Sequence, residues 1–119
     1  MVFRFDSKLP TLNEYIDAER SNRFIAAKIK KTTTNNIRLE ALSQTRDKFE
    51  GLYDVRITWH RANNRQDSDN IYFSAKFLFD GLVEAKILSG DGRKHIRHIN
   101  NEIFTTGKDY CLVELIEVV

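Results

Sequence analysis

The run Tyr53-Asp54-Val55-Arg56-Ile57-Thr58-Trp59-His60 decides the fold. Tyr53, Val55, Ile57 and Trp59 alternate with Asp54, Arg56, Thr58 and His60, which is the period of a strand with one face buried. Gly51 resets the pattern before this strand, and the polar loop Arg61-Ala62-Asn63-Asn64-Arg65-Gln66 follows it. After Asn70 the period changes to three and four, with Ile71, Ala75, Leu78, Leu82 and Ala85 on one face of a single helix that can cover the strand. The opposite stripe holds Asp69, Phe73, Lys76, Asp80 and Glu84. Asp69 and Lys76 then stand nearly in line, about 10 Å apart along the axis. The lysine can reach back toward Asp69 or pair with Asp80 one turn later. Phe73 either stacks on a base or packs under the N-terminal helices.

Working outward, Val2 to Asp6 reads as a first strand that ends before Pro10-Thr11. From Thr11 the pattern is helical until Thr32-Thr33-Thr34-Asn35-Asn36 interrupts it, and a second helix runs near Ile37 to Lys48. Ser89-Gly90-Asp91-Gly92 is a turn, and Ile96–Phe104 and Tyr110–Val118 form a C-terminal hairpin joined near Thr105-Thr106-Gly107. The order is β-α-α-β-α-β-β, an α/β (α+β) fold whose mixed sheet has helices on one face. In the last strand Cys111, Val113 and Leu115 point one way and Leu112, Ile116 and Val118 the other. Both faces need cover, and a symmetric partner is the expected second cover, giving a homodimer.

A chain of 119 residues is expected to form a single domain over residues 1–119 with one hydrophobic core. With 41% hydrophobic and 30% charged residues it falls among globular proteins rather than disordered or membrane ones. It is expected to fold without a cofactor. The lone Cys111 excludes an internal disulfide and fits a reducing compartment. No apolar run approaches a membrane span and the N-terminus lacks a signal-peptide pattern, so a cytoplasmic location is expected.

The net charge is only +2, but its distribution is uneven. Residues 20–48 hold Arg20, Arg23, Lys28, Lys30, Lys31, Arg38, Arg46 and Lys48 against Glu40 and Asp47, a net of +6, which leaves −4 for the remainder. The basic window either follows a phosphate backbone or is a solvated helix face. Beside it, Asp67-Ser68-Asp69-Asn70 and the turn residue Asp91 offer three carboxylates. Converging, they would hold magnesium, which takes oxygen ligands and keeps room for phosphates. Read singly, Asp67 caps a helix, Asp69 favours its dipole and Asp91 serves a turn.

Other motifs carry less. His95 and His98 are three apart on a strand and point to opposite faces, which suits surface or phosphate contact better than a metal. His60 adjoins the polar loop and is a minor candidate for a base. There is no glycine-rich phosphate loop, paired-cysteine site or Gly-x-Ser-x-Gly nucleophile motif.

Arg65-Gln66-Asp67-Ser68-Asp69-Asn70-Ile71, with Lys76, Asp80-Gly81-Leu82 and Asp91, resembles the RusA family of Holliday junction endodeoxyribonucleases. The likeness is strongest from Arg65 to Asp91 and extends loosely to Pro10-Thr11-Leu12-Asn13-Glu14-Tyr15 and the last two strands. The Thr-rich basic segment, with Asn13, Tyr15 and Arg23, is similar to the bacteriophage and prophage branch. The resemblance implies a cytoplasmic bacterial or phage-encoded α/β homodimer that nicks two strands of four-way, branched DNA symmetrically. It further implies Asp67, Asp69 and Asp91 as catalytic carboxylates on Mg2+, with Mn2+ as a substitute. Lys76 answers to the family's functional lysine at a spacing three residues longer, Phe73 standing at the usual place. Arg61, Arg65, Arg23, Lys28, Lys30 and Lys31 would contact the DNA backbone. The competing expectation is a branched-DNA-binding or regulatory module that kept the scaffold without cutting.

Overall fold

The computed structural model describes all 119 residues. Strands β1 (Val2–Phe5), β2 (Tyr53–Arg61), β3 (Ile96–Thr105) and β4 (Tyr110–Glu117) form one mixed sheet in the order β1-β4-β2-β3. Helices α1 (Leu12–Ser21), α2 (Arg23–Gln44), α3 (Ser68–Tyr72) and α4 (Ala75–Glu84) complete an α+β fold. No helix is long and apolar enough to cross a membrane.

The alternating run is the shared strand. β2 runs antiparallel to β4, with Thr58 opposite Leu112, and parallel to β3, with Arg56 opposite Asn100. The expected C-terminal hairpin does not form, because β2 lies between its two strands. The link Thr106 to Asp109 instead steps over the end of β2, a distance of about 10 Å at two strand spacings. The Arg61 carbonyl accepts hydrogen bonds from Thr106 N at 2.9 Å and Gly107 N at 3.2 Å, and Gly107 supplies the positive φ of 87°. Asp109 Oδ1 closes the step by accepting from Ala62 N at 2.8 Å. Two apolar alternating strands joined by four residues look alike in sequence whether paired or separated by a third.

The helices also depart from the sequence expectation. The threonine-rich stretch does not interrupt a helix: α2 runs through it, and Thr33 and Thr34 are buried. The break comes ten residues earlier than the threonines, at Asn22, which is extended (φ −169°, ψ 121°) and accepts a hydrogen bond from Phe24 N on its side chain at 2.8 Å. Packing outweighs the modest helix propensity of threonine. The helix expected after Asn70 is two, because the backbone tightens to three-residue hydrogen bonds at Ser74, Lys76 and Phe77 while Ser74 Oγ donates to the Pro10 carbonyl at 2.8 Å. Asp69 and Lys76 therefore lie on separate helices rather than on one straight stripe.

One core holds the layers together. Val55, Ile57 and Trp59 of β2, Val113 and Leu115 of β4, and Phe3 and Phe5 of β1 meet Ile37 and Ala41 of α2 and Leu78 and Leu82 of α4. The two core helices touch at Gly81, where a Cβ would meet Ile37 Cγ2 and Cβ at 2.4 and 2.5 Å. Glu40 ties α2 to the end of β1 by accepting from Asp6 N at 2.8 Å and Ser7 N at 3.0 Å.

The far face of the sheet is open. Leu112 is half-buried and Ile116 exposed, and between them cross-strand pairs join Arg56 to Glu114 at 3.5 Å and Arg97 to Asp54 at 2.6 Å. Arg97 donates to both Asp54 oxygens, and these hydrogen bonds hold the Asp54 carboxyl below its ordinary value of 3.8.

Two measurements check this packing. Gly81→Ala should lower stability to urea by about 1–3 kcal/mol, overpacking outweighing the gain in helix propensity. The control Gly92→Ala, with nothing within 4 Å of its Cβ, should stay within about 0.5 kcal/mol of the wild type. Because the folded-state Asp54 value is depressed, its contribution is present at neutral pH and lost as the pH falls below 3.8. Asp54→Asn should accordingly lose less stability than the wild type between about pH 5 and about pH 2, read by thermal melts.

Candidate active site

The parallel pairing of β2 and β3 separates the carboxylates that the sequence grouped. Residues after Arg61 leave one end of β2, whereas residues before Ile96 arrive at the other, where Tyr53 N donates to the His95 carbonyl at 2.9 Å. The intervening strand, nine residues long, spans about 26 Å. Asp67 and Asp69 accordingly stand at the C-terminal end of β2 and Asp91 at the N-terminal end. No three Asp, Glu, His or Cys side chains within the chain are grouped to hold a metal.

At the first end, Asp67 occupies the N-cap position of α3, yet its side chain makes no capping hydrogen bond. Asp69, in the first turn, accepts only from the neighbouring Asn70 N, at 3.0 Å. Both are exposed, so the simple helix-cap account of Asp67 does not describe this chain. Asn70 behaves differently: it is buried, and its Oδ1 accepts from Asn13 N at 2.9 Å, tying α3 to α1. The asparagine that ends the motif is thus a tether between the carboxylate-bearing helix and α1. Nothing in the local pattern distinguishes it from a ligand, although Asn13 lies in the Pro10–Tyr15 stretch already singled out.

Aromatic packing completes the support. Phe73, one of the stripe residues, packs at a tilt against Tyr15 of α1 at 5.6 Å and edge-on to Phe77 at 5.8 Å, so it serves packing rather than a base. Arg61 is half-buried, donates from Nη2 to Gln66 Oε1 at 2.9 Å and faces Asp109 at 3.6 Å. It shapes the loop that delivers Asp67. Arg65 and Lys76 are exposed and without an ion pair, leaving their charges available to a phosphate.

At the other end, Asp91 lines a groove of about 640 Å³ with Asp80 and Glu84 of α4 and Lys30 and Lys31 of α2. Lysines and carboxylates face the same space without forming an ion pair. The sequence placed Asp80 and Glu84 with Asp69 and missed their company with Asp91. Their four-residue spacing was the available signal. Lys28 lines a separate shallow groove with Lys8 and Glu14, and Arg23 sits over the Phe24 ring at 5.2 Å.

His60, the candidate base, is held by packing. His60 is stacked between Tyr110, at 4.2 Å, and Phe104, at 5.8 Å, and its Nδ1 lies 3.3 Å from Thr106 Oγ1. That sandwich is a structural setting across three strands rather than the free position a base needs. Cys111 is buried beneath the sheet, and desolvation pushes its thiol up to about 12.

The fold and these two charged ends define a small α+β domain with exposed acidic and basic groups at both ends of one parallel strand pair. Neither a scan of protein-family models nor a search of curated proteins finds a match for the chain. The thiol assignment has a direct check: Cys111 should resist a thiol reagent such as DTNB at pH 8 in the native protein and react fully once urea unfolds it.

Proposed function

We propose that this protein is a magnesium-dependent, structure-specific endodeoxyribonuclease that resolves four-way DNA junctions as a homodimer. The observation that carries the reading is the pair Asp67 and Asp69, exposed and without a capping bond from Asp67 in the segment that follows β2, with Arg65 and Lys76 close in sequence, exposed and unpaired. The RusA-like order of residues in this segment supplies the substrate class.

The donor set fits the ion in part. Magnesium keeps several waters and needs only one or two carboxylates in addition to phosphate oxygens, which Asp67 and Asp69 can provide. No third carboxylate is grouped with them to hold a metal within one protomer. A two-fold dimer that carries the partner subunit's Asp91 to Asp67 and Asp69 would complete the set, and the substrate's own approximate two-fold symmetry favours such an arrangement. When bound, magnesium lowers the pKa of a water and offsets negative charge on the scissile phosphate. Arg65 would orient that phosphate, and Lys76 would stabilise the charge gained on attack. Lys30 and Lys31, with Lys28, would follow the DNA backbone without reading bases.

The incomplete set within one chain favours one second reading, a branched-DNA-binding module that does not cut. End-labelled four-way junctions incubated with the protein in magnesium and in EDTA separate the two. Paired symmetric nicks only with metal support the nuclease, and binding without nicks supports the module.

Asp69→Asn should reduce cleavage by about 100-fold or more while sparing junction binding, and Asp91→Asn should behave alike. Mixing these two inactive variants tests the shared site. If each site combines Asp69 from one subunit with Asp91 from the other, mixed dimers keep one intact site and regain single-strand nicking. No recovery, with subunit exchange verified, would show that the site is not shared.

A further inference from the structure

The elbow between α1 and α2 carries an aromatic ring that the fold does not use. Phe24 is 71% exposed and Ile25 beside it 49%, whereas Ile37 and Ala41 farther along α2 are fully buried. The elbow is fixed rather than loose: Asn22 N donates to the Ala18 carbonyl at 2.9 Å, and its side chain caps Phe24 N at 2.8 Å. Within four residues of Phe24 in the sequence lie Arg20, Arg23 and Lys28, none of which has a carboxylate partner within 4 Å. The Arg23 guanidinium lies over the ring at 5.2 Å.

We propose that Phe24, flanked by Arg20 and Arg23, is a stacking wedge that packs against the base pair exposed at a DNA branch point. Phe24 and the adjacent Ile25 together present an apolar tip to solvent next to the Arg23 cation, the composition of a contact surface rather than of a core. The unpaired cations select a polyanion over an apolar protein partner. Among polyanions, a nucleic acid offers both phosphates for the arginines and a flat π-face for the ring. Within a continuous duplex every base-pair face is already stacked, whereas a branch point presents faces that a wedge can take with little unstacking. The rest of the molecule places this tip usefully. The start of α1 is bound to α3 through Asn13 and Asn70, and the tip lies at its other end, about 14 Å along the axis for ten helical residues. One rigid helix therefore sets the offset between wedge and carboxylates.

This inference rests on the branched-DNA reading for its ligand, and its test is binding in EDTA, which does not depend on cleavage. The full chain is titrated against a four-way junction with 2-aminopurine in the branch-point pair, and against a linear duplex of the same sequence. The wild type should bind the junction with a change in 2-aminopurine fluorescence. Phe24→Ala should lose that change and bind the junction about tenfold more weakly, with duplex binding little altered. Phe24→Trp should restore both. Arg23→Gln should weaken both substrates and reduce the salt slope by about one.

Phe24→Ala that binds and perturbs the junction as the wild type does overturns the wedge alone. Equal weakening on junction and duplex also overturns it, as does a Phe24→Ala dimer that dissociates in gel filtration with junction binding unchanged, which would make the ring a contact between copies. A wild type that binds no DNA overturns the wedge and the junction reading together.

Discussion

The parallel pairing of β2 with β3 is the constraint on which the rest of the molecule depends. Parallel neighbours cannot be joined by a tight turn, so the chain must cross back over the sheet between them. Residues 62–95 make that crossing, and their helices α3 and α4 cover the buried face together with α2. The same geometry fixes where charge can sit. Groups on the loop leaving β2 and groups on the turn entering β3 occupy opposite ends of the sheet, however close they are in sequence. The separation of Asp67 and Asp69 from Asp91 follows from strand direction, and a shared dimeric site is the arrangement that would reunite them.

The support around Asp67 and Asp69 is indirect and distributed. Their own helix is only five residues long and has no capping bond from Asp67, so it would be marginal in isolation. It is held from outside by the Asn70–Asn13 bond, the Ser74–Pro10 bond and the Tyr15, Phe73 and Phe77 rings. Asp67 makes no capping bond and Asp69 accepts only one, from Asn70 N, which keeps carboxylate oxygens available that a capped helix would engage. α1 gains a second role from these contacts: it buries no residue of its own, yet links the carboxylate end to the exposed elbow at Phe24.

Much of this was legible in the sequence. The alternation from Tyr53 to His60 reports a strand directly, since each inward side chain must be apolar wherever a helix layer covers it. The three-and-four spacing around Leu78 and Leu82 reports the covering helix, and the first strand and the absence of a membrane-spanning helix follow as simply. The Asp67-Ser68-Asp69-Asn70 motif, with Arg65 and Lys76 nearby, was visible as a charged site. The sequence by itself determined which strand and helix faces turn to the core and which segments concentrate charge, because side-chain period and residue type are local properties.

Tertiary structure decided everything that depended on neighbours. Insertion of β2 between β3 and β4 replaced the expected hairpin, since strand order is set by which faces and edges pair and not by any one strand's pattern. The helix boundary moved to Asn22 because burial of Thr33 and Thr34 outweighs their weak propensity, while an asparagine side chain can cap a new helix. Asn70 became a tether and Phe73 a packing residue only once α1 lay beside them. Asp91 joined Asp80 and Glu84 in place of Asp69, because proximity in a sheet follows strand direction and register, which a linear spacing does not encode.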